Sequence, residues 1–212
     1  MKKALLFSIA LNVLVIGIVI GKRIYYHQPK PGKPTIVMYG DSRIAMGDWV
    51  TGLKRSDIYN AGIGGTTTRN LFDSLEAKVL KYHPSICFIQ AGINDIRSQV
   101  SLDSTIFYYG RIIDKLKENN ISVVINSVIP VSKDPFQFVV PDSVINNNVI
   151  ELNDLLRRLA TSKDVEYLDI NLHLAENNHF KLKYTLDGVH VNPLGIAVWS
   201  KEITGCLTRH NL

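Results

Sequence analysis

A serine, a histidine and an aspartate in this chain have the types and surroundings for acyl-transfer chemistry. Ser42 closes the stretch Val37-Met38-Tyr39-Gly40-Asp41-Ser42, an apolar strand that stops at a small residue, an acid and a hydroxyl. Serine is a poor nucleophile until a base takes its proton. His190 is the natural base, because imidazole titrates nearest neutrality. Asp187 stands three residues before it, a spacing that permits a carboxylate to meet the ring. A hydroxyl at the start of a helix also lies beside free backbone N–H groups, which suits a reaction that builds negative charge. Gly40-Asp41-Ser42 alone is an ordinary turn sequence; the places of the other unusual residues decide between the two.

Those places follow from the elements. Thr35–Tyr39, Ile58–Asn60, Ser85–Gln90, Ser122–Ser127 and Val165–Asp169 are expected strands, five in all. Helices are expected where apolar residues recur at helical spacing. One carries Leu71, Leu75 and Val79; the next carries Ile106, Tyr109, Ile113 and Leu116, capped by Ser101 or Asp103. Ile145, Val149, Leu152, Leu156 and Leu159 mark a third, and Asn192-Pro193 opens a last helix through Leu207. The alternation implies an α/β fold of three layers, a five-stranded parallel sheet covered by helices on both faces. Ser42, the glycines of Gly62-Ile63-Gly64-Gly65, Asn94, the loop from Pro130 to Pro141 and Asp187–His190 then all follow strand ends. A right-handed sheet of this kind collects them on one rim, where ligands bind.

These blocks resemble those of the SGNH, or GDSL-type, hydrolase superfamily over roughly residues 35–207. Gly40-Asp41-Ser42 is similar to its nucleophile block, Asn60-Ala61-Gly62-Ile63-Gly64-Gly65 to the second, Gly92-Ile93-Asn94-Asp95 to the third and Asp187-Gly188-Val189-His190 to the last. The resemblance implies a flavodoxin-like sheet and a serine esterase, with Ser42 as nucleophile, His190 as base and Asp187 as the acid that orients it. It implies an oxyanion hole from the N–H groups of Ser42 and Gly65 and the side-chain amide of Asn94. It also implies an acyl-enzyme, no cofactor, and an ester substrate of small-molecule, glycan or lipid kind. Acyl transfer, lysophospholipase or thioesterase chemistry would use the same residues. A glycan-binding module that keeps the fold has no need of Ser42 together with His190. The chain departs from the family pattern after the serine, where Arg43 replaces an apolar residue. Arg43, with Phe136 and Phe138 in the loop after the fourth strand, is expected to meet the substrate, and a charged side chain there favours O-acetylated carbohydrate over lipid.

Plainer roles exist for several of these residues. Gly64-Gly65 would turn the chain in any case, and Asn94-Asp95 could cap a helix. Asp41 and Asp95 are expected to hold rim loops by hydrogen bonds. Asp187 and His190 lack an evident third ligand for a metal. His173 and His179 are expected to be solvated, and Cys87 and Cys206 to be buried thiols.

The charge is uneven. The 212 residues carry 24 Lys and Arg against 19 Asp and Glu. Lys2, Lys3, Lys22, Arg23, Lys30 and Lys33 lie before residue 35 with no acid among them, which leaves 18 basic residues against 19 acids beyond. The domain itself therefore offers no basic surface for nucleic acid. Ala4–Gly21 is an apolar run of 18 residues; at ~1.5 Å per residue it reaches about 27 Å, the depth of a hydrocarbon core. Residues 1–23 are expected to be a membrane anchor, the rival being a cleaved signal peptide, although no Ala-x-Ala site follows. Residues 24–34, rich in proline, form a stiff spacer. Residues 35–212 are expected to be the catalytic domain, held outside the cytoplasm by the anchor or secreted after signal cleavage.

Overall fold

The computed structural model describes residues 35–133 and 140–212. Stretches rich in β-branched and aromatic residues, which favour a pleated buried surface, form β1 (Ile36–Gly40), β2 (Ile58–Asn60), β3 (Ile86–Gln90), β4 (Ser122–Asn126) and β5 (Glu166–Leu168). They make one parallel sheet in the order β2-β1-β3-β4-β5. β1 and β3 are buried along their whole length. That is why they read as continuous apolar runs rather than as alternation. Each strand begins and ends within one residue of its expected bounds.

Between β1 and β2 lie α1 (Ser42–Ala45) and α2 (Trp49–Leu53); between β2 and β3 lies α3 (Thr68–Lys78). α4 (Ile93–Arg97) and α5 (Leu102–Glu118) connect β3 to β4, and α6 (Asp142–Lys163) leads into β5. Then come α7 (Asn171–Leu174), a small antiparallel pair β6 (Ala175–Glu176) and β7 (His179–Phe180), and α8 (Pro193–Arg209). Ser101 caps α5 and Asn192 caps α8, each side chain accepting a backbone N–H of the first turn. α2, α4, α7 and the β6–β7 pair were not expected. Each has five residues or fewer, too short for a helical or alternating period to show.

Period-two alternation along the strands sorts the sheet into two cores. Val37, Tyr39, Cys87, Ile89 and Ile125 face α3, α5 and α6 through Leu71, Leu75, Tyr109, Ile113, Leu152 and Leu156. Ile36, Met38, Ile86, Phe88 and Val124 face α2 and α8 through Trp49, Leu53, Ile196, Trp199 and Ile203. The Trp49 and Trp199 rings meet edge to face, 4.9 Å between centroids. The Trp199 indole N–H donates to Asn126 Oδ1 at 3.0 Å. Both cysteines are free and buried, as expected. The expected anchor and spacer, residues 1–34, and Phe136 and Phe138 lie outside the described residues. Among the described residues no helix is long and apolar enough to cross a membrane.

The sheet order reverses direction at β1 and β3, since β2 lies on one side of β1 and β3 on the other. In open sheets of this kind the crevice at the carboxyl ends of such strands is where ligands bind. Ser42, the glycine turn and Asn94 follow β1, β2 and β3 directly.

Candidate active site

Gly40 ends β1 because nothing larger fits: a Cβ there would stand 2.0 Å from the Gln90 carbonyl oxygen. Asp41 then caps α1, its Oδ1 accepting the Arg43 N–H at 2.9 Å. That cap sets Ser42 as the first helical residue, with its N–H free of any carbonyl one turn earlier. Burial pushes the Asp41 carboxyl up to about 6, against the pull of the Arg43 cation and its N–H.

The second half of the site is a tight turn. Thr185 pairs with Val191. The Thr185 hydroxyl donates to the His190 carbonyl at 2.9 Å and accepts the Gly188 N–H at 2.9 Å. Gly188 takes a φ of +88°, a left-handed conformation that costs glycine nothing. Inside the turn, Asp187 Oδ1 accepts the N–H of Val189 at 2.9 Å and of His190 at 2.8 Å. Asp187 Oδ2 lies 2.7 Å from His190 Nδ1. Burial raises the Asp187 carboxyl, but the His190 ring and the two backbone N–H groups outweigh it and hold the group below the usual carboxylate range. With Nδ1–H donating to Asp187, Nε2 is the accepting nitrogen, and it lies 3.1 Å from Ser42 Oγ. Ser42, His190 and Asp187, expected together, are in hydrogen-bond contact. The arrangement can move a proton from the serine hydroxyl to the ring while a carboxylate steadies the cation that forms.

The other two blocks are fastened to the first. Asn60 Nδ2 donates to the carbonyls of Ala45 at 3.2 Å and Gly47 at 3.1 Å. The Ile63 N–H donates to the Gly40 carbonyl at 2.8 Å. Gly62 abuts α1 so closely that a Cβ would stand 2.2 Å from Ala45 N. Gly65 has open space around it and a φ of +72°, so the backbone conformation, not room, calls for glycine. Asn94 lies inside α4 rather than capping it, and its Nδ2 donates to the Thr66 carbonyl at 2.9 Å. That bond uses one amide hydrogen, leaves the other without a partner among the described residues and ties Asn94 to the glycine turn. Asp95 accepts the Thr68 N–H at 3.1 Å and the Thr68 hydroxyl at 2.6 Å, joining the start of α3 to α4. Both acids thus hold the rim, as expected.

One expectation is corrected. Arg43, expected to meet the substrate, is buried instead of open on the rim: the residue is 1% exposed, and its guanidinium donates to the carbonyls of Val189, Ile129 and Pro130. Burial lowers it to about 10, against the pull of Asp41 and Asp187. His173 is exposed and His179 partly so, and each also meets a carboxylate: His179 Nε2 lies 2.9 Å from Asp142 Oδ2 and His173 Nε2 3.3 Å from Glu202 Oε1. Sequence reasoning also missed a cluster of Glu166, Cys206 and His210, because Glu166 lies 40 residues before the i,i+4 pair Cys206/His210. It sits at the amino end of β5, opposite the rim, and the Arg209 guanidinium already holds Glu166 there. Two clefts of the described surface do not include Ser42 in their linings, one lined by Pro130, Asn153 and Asn171, the other by Lys133, Phe180 and Lys183.

Known proteins share this fold. A GDSL-like lipase from Bacteroides thetaiotaomicron superposes with a TM-score of 0.75 at 21% identity, covering 86% of this chain and 92% of that one. The acetyl xylan esterase AlAXEase superposes with a TM-score of 0.66 at 22% identity, covering 81% of this chain and 99% of that one. The N-acylneuraminate cytidylyltransferase of Streptococcus agalactiae is 22% identical over 150 residues, 70% of this chain. The chain spans about a third of the length of these curated relatives, 34%. The sequence pattern of the GDSL-like Lipase/Acylhydrolase family matches residues 38–198, from β1 into α8. This chain therefore belongs to the GDSL-like lipase/acylhydrolase family.

Proposed function

We propose that the chain is a serine esterase that removes short acyl groups, chiefly O-acetyl groups, from carbohydrate through an acyl-enzyme. The observation that carries the chemistry is the relay from Asp187 Oδ2 to His190 Nδ1 at 2.7 Å and from His190 Nε2 to Ser42 Oγ at 3.1 Å. Ser42 Oγ attacks the acyl carbon as His190 Nε2 takes its proton. The imidazolium, steadied by Asp187, then protonates the leaving alcohol. Water enters, gives its proton to His190 and releases the acid, restoring Ser42. The oxyanion of each tetrahedral stage is met by the N–H groups of Ser42 and Gly65 and by the free amide hydrogen of Asn94. Donors aimed at charge that develops only during reaction are among the strongest catalytic devices.

Two likenesses support carbohydrate as the alcohol side. One structural relative is described as an acetyl xylan esterase, and the curated relatives are named for a sugar substrate. Cytidylyl transfer is not carried over, since the match spans 34% of that protein. We also propose that Ala4–Gly21 inserts in a membrane and that the proline-rich spacer holds the domain outside the cytoplasm. The support is the apolar length and the flanking basic residues. A membrane fraction that keeps the protein through a high-salt wash supports insertion; release by salt rejects it.

The test is a panel of aryl acetates, aryl esters of longer acids, acetylated xylan and acetylated sialic acid, with and without a free sugar acceptor. Acetate release from the glycans with Ser42 intact and none with Ser42→Ala is the expected result. Preference for long acyl chains would replace carbohydrate with lipid. Acetyl groups appearing on the acceptor would make the protein a transferase.

A further inference from the structure

Arg43 adjoins Ser42 in the chain, yet its side chain turns inward. The guanidinium is a rigid planar fork of five donors. Its Nε donates to the Val189 carbonyl at 2.9 Å, its Nη2 to the Pro130 carbonyl at 3.3 Å and its Nη1 to the Ile129 carbonyl. Val189 is the residue before His190, and Ile129 and Pro130 belong to the segment leaving β4. One stiff side chain therefore spans from the turn of the serine to the turn of the histidine and braces both on a third segment.

The remaining bonds of the histidine turn do a different job. Thr185 Oγ1, the Leu186 N–H and Asp187 Oδ1 all bond within residues 185–191. They fix the shape of the turn, including the Asp187–His190 contact, but not its distance from Ser42. The Ser132 N–H ties Gly188 to the β4 segment at 2.9 Å. The serine's own helix reaches this turn through the Ser42–His190 contact and through the Arg43 fork. Isolated buried charge is costly, and this one faces opposite charge on Asp41 and Asp187.

We propose that Arg43 is a positioning residue of the esterase: its guanidinium sets the separation of His190 Nε2 from Ser42 Oγ, while the Asp187–His190 bond stands without it. The inference rests on the Ser42–His190 reading given above. A lysine keeps the charge but offers one ammonium, which cannot serve three carbonyls held in a fork. Arg43→Lys and Arg43→Gln in the full chain should therefore lose ~10–100-fold in kcat, the scale of a misplacement near 1 Å. KM should stay within about twofold, as for an interaction absent from substrate binding. Phosphonylation of Ser42 by an aryl phosphonate should slow by the same factor. The low-field proton resonance of the Asp187–His190 hydrogen bond should persist, whereas a variant that merely loosens the fold would lose both.

A folded Arg43→Lys protein with wild-type kcat overturns the proposal, and so does loss of the low-field resonance together with activity. If neither variant folds, the wild-type Arg43 Nε–H is followed by 15N NMR. Slow exchange with solvent and a shift on phosphonylation of Ser42 support the strut; exchange as fast as that of surface arginines rejects it. Labelling that survives Ser42→Ala would instead defeat the nucleophile assignment, whatever Arg43 does.

Discussion

Replacing Asp41 by asparagine should remove the pH dependence that this carboxyl imposes on folding. Asp41 is fully buried, and its Oδ2 has no hydrogen-bond partner among the described residues. Burial raises it from 3.8 to about 6, against the pull of the Arg43 cation. At about 1.4 kcal/mol per pH unit, the difference is worth about 3 kcal/mol. The sign follows from proton binding. Below the unfolded value the group is protonated in both states and its stabilising contribution is complete. As pH rises toward the folded value, the unfolded chain gives up the proton first, and the native state loses that stability. Asparagine keeps an oxygen for the Arg43 N–H and has no proton to lose. Arg43, lowered to about 10, stays charged throughout. The stability of Asp41→Asn minus that of wild type should therefore climb by most of ~3 kcal/mol between about pH 4 and pH 6.5, then level off. Urea unfolding of both proteins, followed by circular dichroism at half-unit pH steps, reads this directly. Any constant offset from imperfect fit of the amide cancels in the slope. A difference that stays flat would mean that Arg43 balances burial, and one that falls with pH that Arg43 outweighs it; either would make the electrostatic picture behind Ser42 wrong.

Other outcomes follow from the same geometry. His190→Ala should lose at least ~10²-fold in kcat/KM on a small ester, the scale of general-base catalysis. Asp187→Ala should lose less, because the base itself remains and the Thr185 bonds still hold the His190 backbone in the turn; a deeper loss for Asp187→Ala would invert these roles. Asn94→Ala should lower kcat by ~10²–10³ with KM steady, as for an oxyanion donor. A raised KM with kcat intact would make Asn94 a substrate-positioning residue.

The parts legible from sequence were those in which residue type and spacing state their own purpose. Apolar strands, helical stripes on α3, α5 and α6, and the caps Ser101 and Asn192 each follow from local rules. Ser42, His190 and Asp187 could be assembled because a parallel sheet delivers strand ends to one rim. Arg43 could not be read this way. Its acceptors are backbone carbonyls, which carry no sequence signature, and they lie 86, 87 and 146 residues away. A charge beside the nucleophile suggests a ligand contact until the chain is folded and the fork is seen facing inward. The His179–Asp142 contact was hidden for a similar reason: Asp142 lies 37 residues earlier, at the start of α6. α4 escaped notice because five residues show no period, yet it is the element that presents Asn94.

The central claim is that Ser42 becomes covalently acylated with the help of His190. The most direct measurement is intact-protein mass spectrometry after exposure to an activated aryl phosphonate, followed by peptide mapping. The account predicts one adduct on wild type, located at Ser42, a greatly slowed adduct on His190→Ala and none on Ser42→Ala. An adduct on Ser42→Ala at the wild-type rate, or a folded wild-type protein left unmodified while it hydrolyses esters, would contradict it.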